Sequence, residues 1–160
     1  MRSNPWLIAG GTLSALAALL HVAIIIGGPD WYRFFGAGEE MARAAERGMA
    51  RPAILTVGIA TILGIWSLYA FSGAGLIRRL PLLRTGLLAI SAVYLVRALA
   101  PLPIALLAPE RLTAFLLWSS LIVLVYGLAY AIGTWRAWPI HSPAYRQPGE
   151  MGQDHSTRTA

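Results

Sequence analysis

The chain has 160 residues, 57% of them hydrophobic and only 12% charged, with a formal net charge of +6. A soluble domain carries about 25% charged residues, so this composition excludes an ordinary soluble core and makes a bilayer the natural solvent for the apolar excess. The lack of cysteine excludes thiolate catalysis, disulfide relays and cysteine-ligated metal or Fe–S sites, and the lack of lysine excludes Schiff-base chemistry.

Residues 6–27 form the first expected span. Pro5 suits a first helical turn, and a run of roughly 20 apolar residues matches a hydrocarbon core about 30 Å thick. The alternative is a signal peptide, with Arg2 as its basic start and Ala15-Leu16-Ala17 as a cleavage motif. The apolar run continues well past that motif, which favours a retained helix. Residues 28–51 connect it to the next span and hold four of the seven acidic residues: Asp30, Glu39, Glu40 and Glu46. Asp30 follows Pro29 and reads as a turn residue. Gly36 and Gly38 break the chain. From Glu39 to Arg47 the pattern predicts a short amphipathic helix on the membrane surface, with Glu39 and Arg43 spaced as a favourable i,i+4 pair and Gly48 ending it.

Residues 53–71 form the second span, free of charge, with Ala60 and Gly64 spaced for close helix approach. A tight connector, 72–80, carries Arg78 and Arg79. The third span is expected over 81–100, with Arg97 near its end. The stretch PLPIALLAP that follows holds Pro101, Pro103 and Pro109 and reads as irregular, lying at the interface or under the first connector. The fourth span is expected over 109–135, with Gly127/Ala131 and Ala129/Gly133 as further close-packing pairs. Residues 136–160 are polar, rich in proline and without periodicity, and read as a disordered cytoplasmic tail.

Four spans place the N-terminus, the second connector and the tail on one side. That side carries seven arginines against five on the other, which favours both termini inside. The thirteen arginines are scattered between apolar runs, not patched, so they speak for membrane topology and against nucleic acid.

Under this topology His21 and Arg97 both fall in the outer half of the bilayer, about six and about three residues from the ends of their spans. Asp30, Arg33, Glu39 and Glu40 sit just above them, and Tyr94, Trp118, Ser119 and Ser120 lie at similar depth. An intramembrane ionisable residue is a functional hypothesis by default. Together these groups would line an outer-leaflet pocket for a lipid-like or quinone-like ligand. Arg97 would hold an anionic or carbonyl oxygen, with Asp30 or Glu39 as its natural partner, and His21 would donate a hydrogen bond or move a proton. Each also has a plainer explanation: Arg97 snorkelling to the headgroups, His21 bonded to a neighbouring helix, and the tyrosines and tryptophans forming interfacial belts.

A bis-histidine haem needs two intramembrane histidines, and His21 stands alone in the spans. A proton-coupled exporter needs an intramembrane carboxylate, and no span contains one. The residues point to no particular cofactor and to no metal site.

The stretch GGPDWYRFFGAGEEMARAAERG resembles the corresponding part of small, uncharacterised bacterial inner-membrane proteins with four spans. The resemblance covers residues 5–135 and implies a bacterial, inner-membrane four-helix protein. It carries no activity and no catalytic residues.

The expected protein is thus all-α: an integral membrane four-helix bundle with a short surface helix in the first extracytoplasmic connector. The expected role is a binding or accessory component. The alternatives are a membrane enzyme or redox component acting on a lipid or quinone through His21 and Arg97, and a structural subunit that packs into a homo-oligomer or larger complex.

Overall fold

The computed structural model describes residues 4–137. The expected tail therefore lies outside the described residues from position 138 onward. Every regular element among the described residues is helical: α1 Pro5–Gly27, α2 Pro29–Phe34, α3 Glu39–Glu46, α4 Arg51–Gly73, α5 Leu83–Leu99, α6 Pro101–Leu107, a 3-10 turn Pro109–Arg111, and α7 Ala114–Ala137. Four stretches are long and apolar enough to cross a membrane: α1, α4, the α5–α6 pair taken as Leu83–Leu107, and α7. Leu19, Ile54, Val96 and Ile122 project from them into the surroundings. A helix that is apolar all round is solvated by lipid or core, and the chain is a small multi-pass membrane protein.

The four long helices form a ring in which α1 packs on α4 and α7, and α5 packs on the same two, leaving α1 and α5 on one diagonal. Small residues let the backbones approach. A Cβ built on Gly10 would come 2.9 Å from the Tyr130 ring, and one on Gly133 would come 3.0 Å from the backbone nitrogen of Leu7. Of the expected close-packing positions, Gly127, Ala129 and Gly133 are buried within the chain, Gly127 against Leu95. Gly64 is different, because an added Cβ there meets nothing within 4 Å. Gly133→Ala should therefore cost about 1–3 kcal/mol through overpacking. Gly64→Ala should be neutral or stabilising by up to about 1 kcal/mol through helix propensity. Thermal unfolding of the two variants in detergent checks the difference.

Asn4 shows how an end is fixed. Its Oδ1 accepts from the Leu7 amide (3.3 Å) as the α1 cap, while its Nδ2 donates to the Gly133 carbonyl (2.7 Å) and ties α1 to α7. Two hydroxyls inside the spans are satisfied within their own helix, Ser91 donating to the Leu87 carbonyl and Thr61 to that of Val57, as an apolar solvent favours; Thr134 Oγ1, buried in α7, has no partner among the described residues.

Two sequence expectations are corrected. PLPIALLAP is helical, not irregular: α6 starts at Pro101, and Ala100 keeps right-handed helical angles, φ −53 and ψ −32. A proline in a first helical turn loses no hydrogen bond, since the amides there have no intrahelical acceptor. The third span therefore resumes after a break. Arg97 then lies about ten residues, roughly 15 Å, from the end of the combined span, not three residues from it.

The first connector is also more ordered than expected. It holds two helices, and Asp30 sits in the first turn of α2, not in a turn. Both helices end where a glycine takes a left-handed conformation, Gly36 and Gly48, each with φ 70. The paired bonds Ala37 N to Tyr32 O and Gly36 N to Arg33 O, and Met49 N to Ala44 O and Gly48 N to Ala45 O, close the two ends in the Schellman manner.

Candidate functional site

The ends of the bundle differ. The α2–α3 pair forms a cap over one end. Tyr32 is its apolar anchor, 3% exposed, packed with Ile24 of α1 and Ala42 of α3 and flanked by Phe35 and Ala45. The Tyr32 hydroxyl lies 3.3 Å from Thr56 Oγ1 of α4, whose own proton goes to the Pro52 carbonyl at 2.8 Å. Thr56 Oγ1 thus faces two acceptors, the Pro52 carbonyl and, more distantly, the Tyr32 hydroxyl. Phe115, at the start of α7, lies against Gly36.

The charges of the cap are directed at one another. Arg33 donates to Glu39 (2.9 and 3.2 Å), Glu46 (2.6 Å) and Asp30 (3.3 Å), and Arg43 donates to Glu39 (3.0 Å). Arg51 lies 3.7 Å from Glu40. Of the predicted site residues, Asp30, Arg33 and Glu39 are thus brought together as a network that clamps α2 to α3. Neither carboxylate reaches Arg97, the partner expected from sequence. Both meet a nearer arginine within their own connector.

Hydrogen bonds from Arg33 first, then from Arg43, push the Glu39 carboxyl down from 4.5 to about 2. Bonds to Glu39 and then Glu46 raise the Arg33 guanidinium. A carboxyl depressed by folding stabilises above its unfolded value. That contribution is lost as pH falls through the folded one, here between about 4.5 and about 2. A fluorophore on Ala37→Cys, the sole thiol in this chain, should report loosening of the cap across that window. Glu39→Gln should flatten the response, and a flat wild-type titration contradicts the clamp.

Beneath the cap, His21 is half-buried in α1, on the same helix face as Ser14 and Leu7, seven residues apart in turn. Its Nδ1 lies 2.7 Å from the Ala17 carbonyl. A carbonyl only accepts, so Nδ1 carries a proton in this bond. This is a bond within its own helix, not to a neighbouring one.

Across the ring, Arg97 of α5 reaches sideways to α7. Its Nη1 donates to Ser120 Oγ (3.1 Å) and its Nη2 approaches Ser119 Oγ (3.5 Å). Ser119 passes its own proton to the Leu116 carbonyl (3.1 Å), leaving its oxygen free to accept from Arg97. Ser120 is buried, and lies about six residues, roughly 9 Å, inside α7. The guanidinium is held at that depth and does not reach along its helix toward the cap. None of the ion pairs among the described residues includes it. Trp118, beside the two serines in sequence, is 67% exposed.

Tyr94 is not part of this wall. It sits in the centre of the bundle, 5% exposed, 2.9 Å from Ser14 Oγ. Ser14 lies 3.0 Å from the Tyr130 hydroxyl, which donates to the Trp66 carbonyl at 2.9 Å. Each hydroxyl has one proton, so the direction is fixed: Tyr94 to Ser14 to Tyr130 to Trp66. One chain of bonds ties α5, α1, α7 and α4. Aromatic contacts reinforce it, with the Trp66 and Tyr94 rings edge to face at 4.8 Å and Tyr126 at 5.6 Å from Tyr94. These tyrosines are core, not interfacial belts. Ser14, Trp66 and Tyr130 were missed as partners, although the signal was present: a tyrosine deep in an apolar run needs a hydrogen-bond partner.

Among the described residues no group of three His, Asp or Glu side chains is placed to hold a metal ion. Comparisons with family models, curated proteins and solved structures give no match, so the chemistry of the site rests on its own geometry.

Proposed function

We propose that the protein is a binding or accessory component of the membrane, and that Arg97 holds an anionic or carbonyl oxygen of a lipid-like or quinone-like ligand between α5 and α7. The observation that carries this reading is the guanidinium at bilayer depth, hydrogen-bonded to Ser120 and Ser119 and outside every ion pair among the described residues. A charge in an apolar span is costly and is kept where it has a use. The serines set the plane of the guanidinium, and its other N–H donors are the ones a ligand oxygen would take. The Nδ1–H of His21 is committed to Ala17, which orients the ring and leaves Nε2 as its remaining polar atom.

The arginine count over the whole chain, seven on the side of the termini against five on the cap side, supports an orientation with both termini cytoplasmic. Among the described residues every acid, Asp30, Glu39, Glu40, Glu46 and Glu110, lies at the cap end. The opposite end carries Arg78, Arg79, Arg84 and Arg136, and the cap end Arg33, Arg43, Arg47, Arg51 and Arg111. With the resemblance of residues 5–135, this supports a place in a bacterial inner membrane with the cap outside.

One observation favours a second reading, a packing subunit or homo-oligomer: the outward face of α4 at Gly58 and Gly64, where added Cβ atoms meet nothing within 4 Å. Thermal-shift measurements with added phospholipids and quinones separate the two. A bound ligand raises the melting temperature with concentration, and Arg97→Ala should abolish that rise. A rise of equal size in Arg97→Ala refutes the site. A melting temperature that depends on protein concentration, and not on added ligand, favours the packing subunit.

A further inference from the structure

The connector between α4 and α5, residues 74–82, lies at the end of the bundle opposite the cap and takes no part in the Arg97 site. Its backbone is tied from below. Ser72, 3% exposed, donates to the Arg78 carbonyl (3.1 Å) and accepts from the Leu80 amide (2.9 Å), and the Tyr69 hydroxyl donates to the Pro81 carbonyl (3.3 Å). The fixed loop presents Arg78 and Arg79, both exposed, beside the exposed apolar side chains of Ile77 and Leu82. Leu82 is the non-glycine residue with positive φ among those described, at 52°. A leucine rarely adopts that region, and a strained residue persists where its surroundings over-determine it, often at a site of function. Here the strain turns an apolar side chain, 79% exposed, outward next to two arginines. No acidic residue among those described lies at this end.

We propose that this loop is a preorganised docking edge for an anionic phospholipid leaflet. Ile77 and Leu82 enter the acyl boundary, and Arg78 and Arg79 hold lipid phosphates. Three features argue for this occupant: uncompensated positive charge that matches an anionic surface, apolar side chains interleaved with that charge, and a backbone already ordered, so that binding costs little entropy. Being at the far end from Arg97, the edge stands or falls independently of that site.

The test uses the full chain in nanodiscs of equimolar phosphatidylglycerol and phosphatidylcholine, with the retained lipids counted by native mass spectrometry. Phosphatidylglycerol should be enriched on the wild type by about fivefold per arginine engaged. The enrichment should vanish in Arg78→Gln/Arg79→Gln, persist in Arg78→Lys/Arg79→Lys, and survive Arg97→Ala. Unchanged melting temperatures show that the surface variants fold. Enrichment that persists in the glutamine variant overturns the proposal and places the lipid elsewhere. Absence of enrichment in the wild type overturns it too, and would leave the loop to an acidic protein surface.

Discussion

Tyr130→Ala is expected to destabilise the folded bundle by about 3–5 kcal/mol, the cost of deleting a buried aromatic side chain. Tyr130 is fully buried. Its ring lies against Gly10, and its hydroxyl links Ser14 to the Trp66 carbonyl. Tyr130→Phe keeps the ring and deletes only the two hydrogen bonds, so it should cost about 1–2 kcal/mol, the range for such bonds within a membrane. Ser14→Ala should cost a similar amount by a different route, because Tyr94 then loses its acceptor while Tyr130 still reaches Trp66. Unfolding in mixed detergent measures all three. Equal losses for the Phe and Ala variants would show that the hydrogen bonds dominate and the ring packs poorly. Losses below about 1 kcal/mol for Tyr130→Ala would contradict a core built on this residue.

Arg97 carries the second large effect, and its sign differs between binding and stability. A charge-assisted hydrogen bond contributes about 1.5–3 kcal/mol, so Arg97→Ala should weaken ligand binding by roughly 10- to 100-fold. Arg97→Lys keeps the charge and loses the planar fork that spans Ser119 and Ser120. It should recover only part of the loss. The ligand-free protein should respond in the opposite direction. Replacing an intramembrane arginine with leucine removes a desolvation cost of a few kcal/mol, so Arg97→Leu should be at least as stable as the wild type while failing to bind. That separation is the mark of a residue kept for function. A structural Arg97, by contrast, would lower stability and binding together.

The fold was legible where apolar length and capping chemistry decide it. A bilayer demands helices of a set length, so four apolar runs give four spans. Gly48 ending α3 and Glu39 pairing with Arg43 follow from local rules and are found as expected. The α5–α6 junction was misread because proline breaks a helix interior but fits a first turn, and sequence alone does not say which of the two Pro101 occupies. Arg33 as the hub of the cap was hidden for a different reason. Its partners Glu39 and Glu46 are adjacent only once α2 and α3 fold back on each other.

The candidate site was legible in composition and not in pairing. His21 and Arg97 stood out as charges or potential charges in apolar runs. Their partners, Ala17 for one and Ser119 and Ser120 for the other, depend on side-chain direction around each helix. Tyr94 was placed in the wall because its depth fits. Its direction takes it to Ser14 instead.

The central claim is that Arg97, an exposed side chain, holds a ligand at the α5–α7 face. The most direct measurement is native mass spectrometry of the gently extracted protein beside Arg97→Ala and His21→Ala. A stoichiometric lipid or quinone adduct on the wild type, lost in Arg97→Ala, is the predicted result. An adduct retained in full by Arg97→Ala, or no adduct on any of the three proteins, would contradict it.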